Sequence, residues 1–310
     1  MRFRIEELLV RMVLGLVRVM PMRTVRRVGH GVGRLAFHVD RFHRRIALEN
    51  LTHAFPSRTP EQIEEVARAM FAHFGAVLLE LLKFGTLSEQ AMADLVDVEG
   101  TERVHQAYQQ GRGVLLFTGH FSYWEVQGLM QPLHARRVSV LARPLDNPHL
   151  HEMLERIRRR TGNSVIYRQG AIRKVLRELA ANHGVAMLID QHLHTPDAVY
   201  VDFFRRPAAT TNALAALALR TGAPVIPAFA LPIDAGRYRL VYEHPVEPPR
   251  EDTPDAIRDF TQRCTDVLEM YVRRYPELWL WMHRRWRDVE AGGLPVAGMF
   301  PAASHEDQRG

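Results

Sequence analysis

Apolar residues recur at helical spacing through the first twenty positions. Ile5, Leu8, Leu9, Met12, Val13, Leu16 and Val19 share one face of a helix, and Arg4, Glu7, Arg11 and Arg18 take the other. The longest uncharged run, Met12 to Val17, is six residues. A spanning helix needs roughly 18, so this segment does not read as transmembrane. It does not read as a signal peptide either, because arginines interrupt the apolar region and no small-residue cleavage site follows. Two placements stay open: on an anionic membrane surface, or with the apolar stripe packed against a core and the basic face solvated. Further on, AFPSRTPEQ (54–62) breaks the chain and starts a long helix near Thr59 that runs to about Phe84. Short apolar runs then alternate with amphipathic ones. Strands are expected at 113–117, 138–143, 163–167, 185–190, 199–204, 224–231 and 238–243, and helices at about 122–133, 147–160, 170–182, 210–221 and 253–274. This alternation predicts an α/β fold with a mixed, largely parallel central sheet flanked by helices, preceded by an N-terminal amphipathic, membrane-associated helix. The segments are 1–40 as a basic anchoring stretch, 41–290 as the main domain, and 291–310 as a small-residue, polar, proline-containing tail expected to be disordered. GVGR (31–34) is too short for a dinucleotide fingerprint and reads as a turn.

Composition narrows the setting. At 310 residues, 46% hydrophobic and 25% charged, the chain buries a sizeable core. Its one cysteine, Cys264, excludes an internal disulfide. Net charge is +6, but residues 1–45 hold 11 arginines against 3 acids, so the rest of the chain is slightly acidic. That asymmetry suits an anionic surface at the N-terminus and argues against nucleic acid, which would call for a basic body.

The chemistry centres on LLFTGHFSYWE (115–125). Residues five apart on a helix are rotated by roughly 140° net, so His120 and Glu125 cooperate only if His120 precedes the helix. Ser122 and Glu125 form S-x-x-E, a capping-box pattern that starts the helix at Ser122 and leaves His120 at the carboxyl end of a buried strand. Open α/β sheets bind ligands at that end. Two readings compete: an acid–base pair, or a capping glutamate beside a half-buried histidine.

GHFSYWE resembles the H-x4-D/E motif of the glycerolipid acyltransferases and, more narrowly, of the lipid A biosynthesis (lauroyl/myristoyl) acyltransferases. RRIALENLTHAFP (44–56), ARPLDNPHL (142–150), RRRTGNSVI (158–166), LIDQ (188–191), VDFFRRPAATT (201–211) and PELWLWMHRRWR (276–287) are similar to that family's segments in order and spacing. Tyr123 stands where Asn is usual, and Arg205 where Gly is usual. The resemblance implies a membrane-associated O-acyltransferase that needs no cofactor or metal. It would carry a fatty acyl chain from acyl carrier protein, or coenzyme A, to a hydroxyl of a lipid A precursor or related glycolipid, on the cytoplasmic side of the inner membrane. His120 is then expected as general base with Glu125 holding its ring, and no serine nucleophile is implied, since G-x-S-x-G is absent from the sequence. The resemblance also implies roles for Arg158, with Arg160 as its fallback, as a phosphate contact, and for Asp190 in orienting a positive group; Arg143 joins the same sheet edge. The Trp279, Trp281 and Trp286 cluster with Arg284, Arg285 and Arg287 suits either a headgroup boundary or a core.

Asp190, His192 and His194 alternate along DQHLH, and a metal-dependent hydrolase using them is the competing enzyme reading. A lipid-binding scaffold without turnover is the non-enzymatic one.

Overall fold

The computed structural model describes residues 2–287, apart from 168, 169, 194, 196, 197, 234 and 235. The tail expected to be disordered, 291–310, lies outside the described residues. Four helices come first: α1 (Arg2–Val19), α2 (Met22–Val39), α3 (Arg41–Ala54) and α4 (Pro60–Phe84). α4 begins where the sequence places it. The Thr59 hydroxyl accepts from the Gln62 N–H while the Gln62 side chain accepts from the Thr59 N–H at 3.0 Å, a complete capping box with Pro60 in the first turn.

The body then alternates as α5 (Glu89–Ala93), β1 (Val96–Glu99), α6 (Thr101–Gln109), β2 (Val114–Thr118), α7 (Trp124–His134), β3 (Val138–Ala142), α8 (Pro148–Arg159), β4 (Ser164–Tyr167), α9 (Ala171–Ala180) and β5 (Gly184–Leu188). It finishes with β6 (Ala198–Phe203), β7 (Arg206–Thr211), α10 (Ala213–Thr221), β8 (Val225–Pro232), β9 (Tyr238–Tyr242) and α11 (Pro254–Arg274). Seven strands form one sheet in the order β1-β9-β8-β2-β5-β3-β4, parallel except for the β8–β9 pair. Every residue of β2 is buried, as a central strand covered on both faces requires. The mixed, largely parallel sheet flanked by helices is the architecture the alternation predicts.

β6 and β7 stand apart as an antiparallel hairpin. Its two turn residues, Phe204 and Arg205, have φ of 55° and 59°, the left-handed pair that a two-residue hairpin demands. Arg205 therefore occupies a backbone position suited to glycine.

One expectation is corrected at the N-terminus. GVGR is not a turn but the middle of α2. Gly29 and Gly33 face Gly75 of α4, and a Cβ on Gly29 would lie 2.5 Å from the Ala76 Cα. Small residues thus let two helix backbones touch, and α2 packs closely along α4. Arg26 of α2 reaches through this contact to fully buried Glu80, with Nε 2.6 Å from Oε1, and the Tyr238 hydroxyl donates to the same carboxylate.

α1 packs Val17 into the core, with Val10, Val13 and Leu14 beside it, but turns most of its expected apolar face outward. Ile5, Leu8, Leu9, Met12, Leu16 and Val19 are exposed, while Glu6 accepts from Asn147 Nδ2 at 2.9 Å and Glu7 pairs with His149 at 3.4 Å. Val28, Val32, Leu35 and Val39 of α2 and Phe42 of α3 are exposed as well. Among the described residues, no helix is long and apolar enough to cross a membrane.

Candidate active site

β2 and β5 lie side by side with Thr118 opposite Leu188. Two residues beyond that pair, at the carboxyl ends of both strands, come His120 and Asp190. The strand register therefore delivers an imidazole and a carboxylate to the same point. The Asp190 carboxylate is buried and accepts three hydrogen bonds: from the His120 backbone N–H at 2.6 Å, from His120 Nδ1 at 2.8 Å and from Trp279 Nε1 at 2.7 Å. Gly119 makes room for this approach, since a Cβ there would lie 2.8 Å from Asp190 Oδ2.

The electrostatics follow from that contact. Burial works to lower the His120 pKa, but the Asp190 charge and hydrogen bond outweigh it and hold the ring above its ordinary value. Asp190 is desolvated, yet the His120 ring and N–H and the Trp279 N–H hold its carboxyl well below the usual range. Because the ionised carboxylate only accepts, Nδ1 carries the proton and Nε2 presents a lone pair. Gln191 Nε2 lies 3.3 Å from that lone pair, on an exposed side chain. Trp124 and His283 flank the imidazole edge-on, with ring centroids 5.2 and 4.7 Å away. Burial and the neighbouring His120 push the His283 pKa down to about 4. Its Nε2 is buried without a hydrogen-bond partner among the described residues.

Glu125 does not meet His120, and the expected pairing is corrected here. Its carboxylate is taken by Arg158, whose Nε donates to Oε2 at 2.9 Å and whose Nη2 donates to Oε1. The reason is local. Ser122 sits at φ 49°, its hydroxyl is buried, and its N–H donates to the Leu278 carbonyl at 2.6 Å. The helix consequently starts at Trp124 after Tyr123, with no side-chain cap, and the S-x-x-E capping box does not form. Glu125 falls in the first turn of α7 and faces α8. Burial opposes the Arg158 charge, and Glu125 more than offsets it, so the guanidinium pKa is raised.

The other expected site residues divide. Arg160 donates to the carbonyls of Gly85 and Leu87 at 2.7 and 2.5 Å, closing the end of α4. Arg143 is exposed one residue past β3, at the same edge of the sheet. Asp190 is fully engaged by its three donors, and among the described residues no three His, Cys, Asp or Glu side chains are grouped to hold a metal. His194 of the proposed metal triple lies outside the described residues.

Of the tryptophans, Trp279, Trp281 and Trp286 are core residues rather than a headgroup boundary. The segment that carries them lies along the base. Leu280 N–H donates to the His120 carbonyl at 3.0 Å, and Asn50 Nδ2 donates to the carbonyls of Trp281 and His283 at 2.8 Å each. Arg285 is buried, with Nη1 on the Ala209 carbonyl at 2.6 Å and Nη2 on Thr210; burial lowers its pKa to about 10.

Sequence reasoning missed Gln191 and His283 as neighbours of His120, and Asn50 as the support of the segment that carries His283. Only their presence in the LIDQ, WMHRR and RRIALENL segments set them apart.

The family model "Bacterial lipid A biosynthesis acyltransferase" matches residues 3–288. The chain is 27% identical over 271 residues to the lipid A biosynthesis palmitoleoyltransferase of Escherichia coli, covering 86% of this chain and 85% of that one. It is 26% identical over 282 residues to the lipid A biosynthesis lauroyltransferase of the same organism, covering 90% of each. Among solved structures, a 1-acyl-sn-glycerophosphate acyltransferase from Thermotoga maritima aligns at TM-score 0.35 and 17% identity, over 82% of this chain and 98% of that one.

Proposed function

The chain belongs to the bacterial lipid A biosynthesis acyltransferase family, and from that premise we propose that it moves a fatty acyl chain from an acyl thioester to a hydroxyl of a lipid A precursor, with His120 as the general base. One observation carries the residue assignment: the His120 ring is bonded through Nδ1 to buried Asp190, so its Nε2 lone pair is turned outward at the carboxyl edge of the sheet.

A hydroxyl is a weak nucleophile near neutrality, while a thioester is already activated. The reaction needs a base on the hydroxyl more than a covalent relay. In this reading Nε2 takes the hydroxyl proton as the oxygen attacks the thioester carbonyl, and Asp190 stabilises the imidazolium. When the intermediate collapses, the imidazolium gives the proton to the departing thiolate. Asp190 thus fills the orienting role that the sequence suggests for Glu125. Glu125 instead fixes the plane of the Arg158 guanidinium and leaves Nη1 to contact a phosphate of donor or acceptor. Arg143 is the second proposed cation at this edge.

Acyl carrier protein is the proposed donor, because an acidic carrier suits the arginine-rich end of α8 beside the site, Arg156, Arg158 and Arg159. The exposed apolar face of α1, continued by α2 and α3, supports peripheral docking on the cytoplasmic side of the inner membrane. A lipid acceptor can then be taken from the bilayer without leaving it.

Mass spectrometry of lipid A from a strain lacking this gene tests the substrate. Loss of one secondary acyl chain, restored by the wild-type gene and not by His120→Ala, is the expected result. An unchanged lipid A profile alongside an altered phospholipid would overturn the acceptor.

A further inference from the structure

An acyl-transfer site needs hydrogen-bond donors for the oxygen of the attacked carbonyl, and backbone N–H groups usually supply them. Around His120 three of the described backbone donors are already spent. The N–H of His120 goes to Asp190 at 2.6 Å, that of Ser122 to the Leu278 carbonyl at 2.6 Å, and that of Leu280 to the His120 carbonyl at 3.0 Å. The side-chain donors nearby are committed too: Trp279 Nε1 to Asp190, the Asn50 amide to two carbonyls, and two edges of the Arg158 fork to Glu125. The Ser122 hydroxyl and His283 Nε2 are without partners among the described residues, but both are closed off from solvent. The side-chain donor that lies directly at the base and is open to a ligand is the exposed amide of Gln191, whose Nε2 is 3.3 Å from His120 Nε2.

We propose that Gln191 is a catalytic residue of this site, its side-chain amide donating to the carbonyl oxygen of the acyl thioester as that oxygen becomes an oxyanion. The assignment rests on the acyl-transfer reading above. The amide N–H satisfies the Nε2 lone pair, and so marks the place of the acceptor hydroxyl. When the hydroxyl arrives it takes over that lone pair and the amide is released beside it. The carbonyl oxygen lies only about 2.3 Å from the attacking oxygen in a tetrahedral intermediate, so a donor displaced by one hydrogen-bond length still falls within the roughly 2.7–3.1 Å that oxyanion stabilisation requires. The balance is complete. The hydroxyl oxygen bonds to the carbonyl carbon and its proton passes to His120 Nε2. The carbonyl π pair moves to the oxygen held by Gln191. On collapse that pair re-forms the double bond, the carbon–sulfur bond breaks, and the thiolate takes the proton from His120. Asp190 fixes where Gln191 sits, being its chain neighbour at the end of β5.

The test uses the full-length membrane-bound protein with lauroyl- and palmitoleoyl-acyl carrier protein and a lipid A precursor, and compares wild type, Gln191→Met, Gln191→Asn and His120→Ala. Gln191→Met keeps the side chain's length and removes the donor. It is expected to lower kcat by about 10²–10³-fold, the effect of deleting one oxyanion donor, with KM for both substrates within about threefold and the acid limb of the pH profile unmoved. Gln191→Asn keeps an amide on a shorter stem and recovers part of the loss. Gln191 is exposed, so both variants are expected to melt with wild type. A Gln191→Met kcat within about threefold of wild type overturns the assignment, as does a loss confined to KM or a loss shared equally by Asn and Met. If His120→Ala is inactive in the same assay, only the Gln191 role falls. Wild type that turns over neither donor, or active His120→Ala, brings down the acyl-transfer reading itself.

Discussion

Replacing Asp190 with Asn asks which carboxylate serves the base. Asp190 Oδ2 accepts two donors, the His120 N–H at 2.6 Å and Trp279 Nε1 at 2.7 Å, whereas Oδ1 faces Nδ1 at 2.8 Å. An asparagine in the same pocket keeps its oxygen on the two fixed donors and so turns its NH2 toward Nδ1. The ring must then accept there and carry its proton on Nε2, which leaves no lone pair for the acceptor hydroxyl. An equivalent tautomer reversal in a serine-protease triad lowers kcat by roughly 10⁴, so Asp190→Asn is expected to lose about 10³–10⁴-fold in kcat with a small change in KM. Losing the charge-assisted bonds costs roughly 1.5–3 kcal/mol of stability as well. The pH profile gives a second reading. With Asp190 ionised the His120 pKa lies above its ordinary value, and without that charge burial, the largest influence, prevails over the remaining Glu125 charge and lowers it. The acid limb of residual kcat/KM should therefore move to lower pH. Glu125 raises the His120 pKa only as the last of the contributing charges, so Glu125→Gln should leave that limb nearly in place. The assay is initial-rate acyl transfer from pH 5 to 9 for both variants. Asp190→Asn within tenfold of wild type, with Glu125→Gln carrying the large loss and the shifted limb, would refute this reasoning.

Other consequences can be checked separately. Leu8 and Leu16 project from the exposed face of α1, so Leu8→Glu combined with Leu16→Glu should weaken binding to anionic phospholipid vesicles by about 100-fold or more, given roughly 1.5–3 kcal/mol for each buried leucine. Undiminished vesicle binding by that folded variant would speak against docking through this face. Arg205→Gly should raise stability by about 0.5–1 kcal/mol, because φ 59° suits glycine and strains arginine; a lower melting temperature contradicts the hairpin geometry. His283 is neutral when folded, with its pKa near 4, but titrates near 6.5 once unfolded. The unfolded state thus binds more protons between those values, and stability falls by up to about 3 kcal/mol as pH drops from 6.5 toward 4. His283→Phe should flatten that slope in thermal melts taken across the window, and an unchanged slope argues against the buried, neutral ring.

The periodic parts of the fold were legible because their cause is local. The six-residue limit on uncharged runs in α1, the capping box at Thr59 and the apolar run of β2 all act within a few neighbours, and the corresponding elements appear where expected. β1 and β7 were not seen. Val96–Glu99 alternates over only four residues, and Arg206–Thr211 reads as polar and small, so each depends on its sheet partner. GVGR misled because glycine normally signals a turn; here it marks a helix–helix contact that requires knowing that α4 lies opposite. The active site failed in the same way. Glu125 is near His120 in sequence, but Asp190 is beside it in space, 70 residues on, because β5 pairs with β2. No pattern within one segment reveals which strands are neighbours.

The claim on which the rest depends is that His120 Nε2 is the base for acyl transfer to a lipid A precursor. Its most direct test is mass spectrometry of the acceptor after incubation with acyl-acyl carrier protein and purified wild-type or His120→Ala protein of equal melting temperature. The account predicts that wild type adds the mass of one acyl group and that His120→Ala falls by about 10²–10⁴-fold, the range of general-base catalysis. An acyl group added at the wild-type rate by His120→Ala contradicts it.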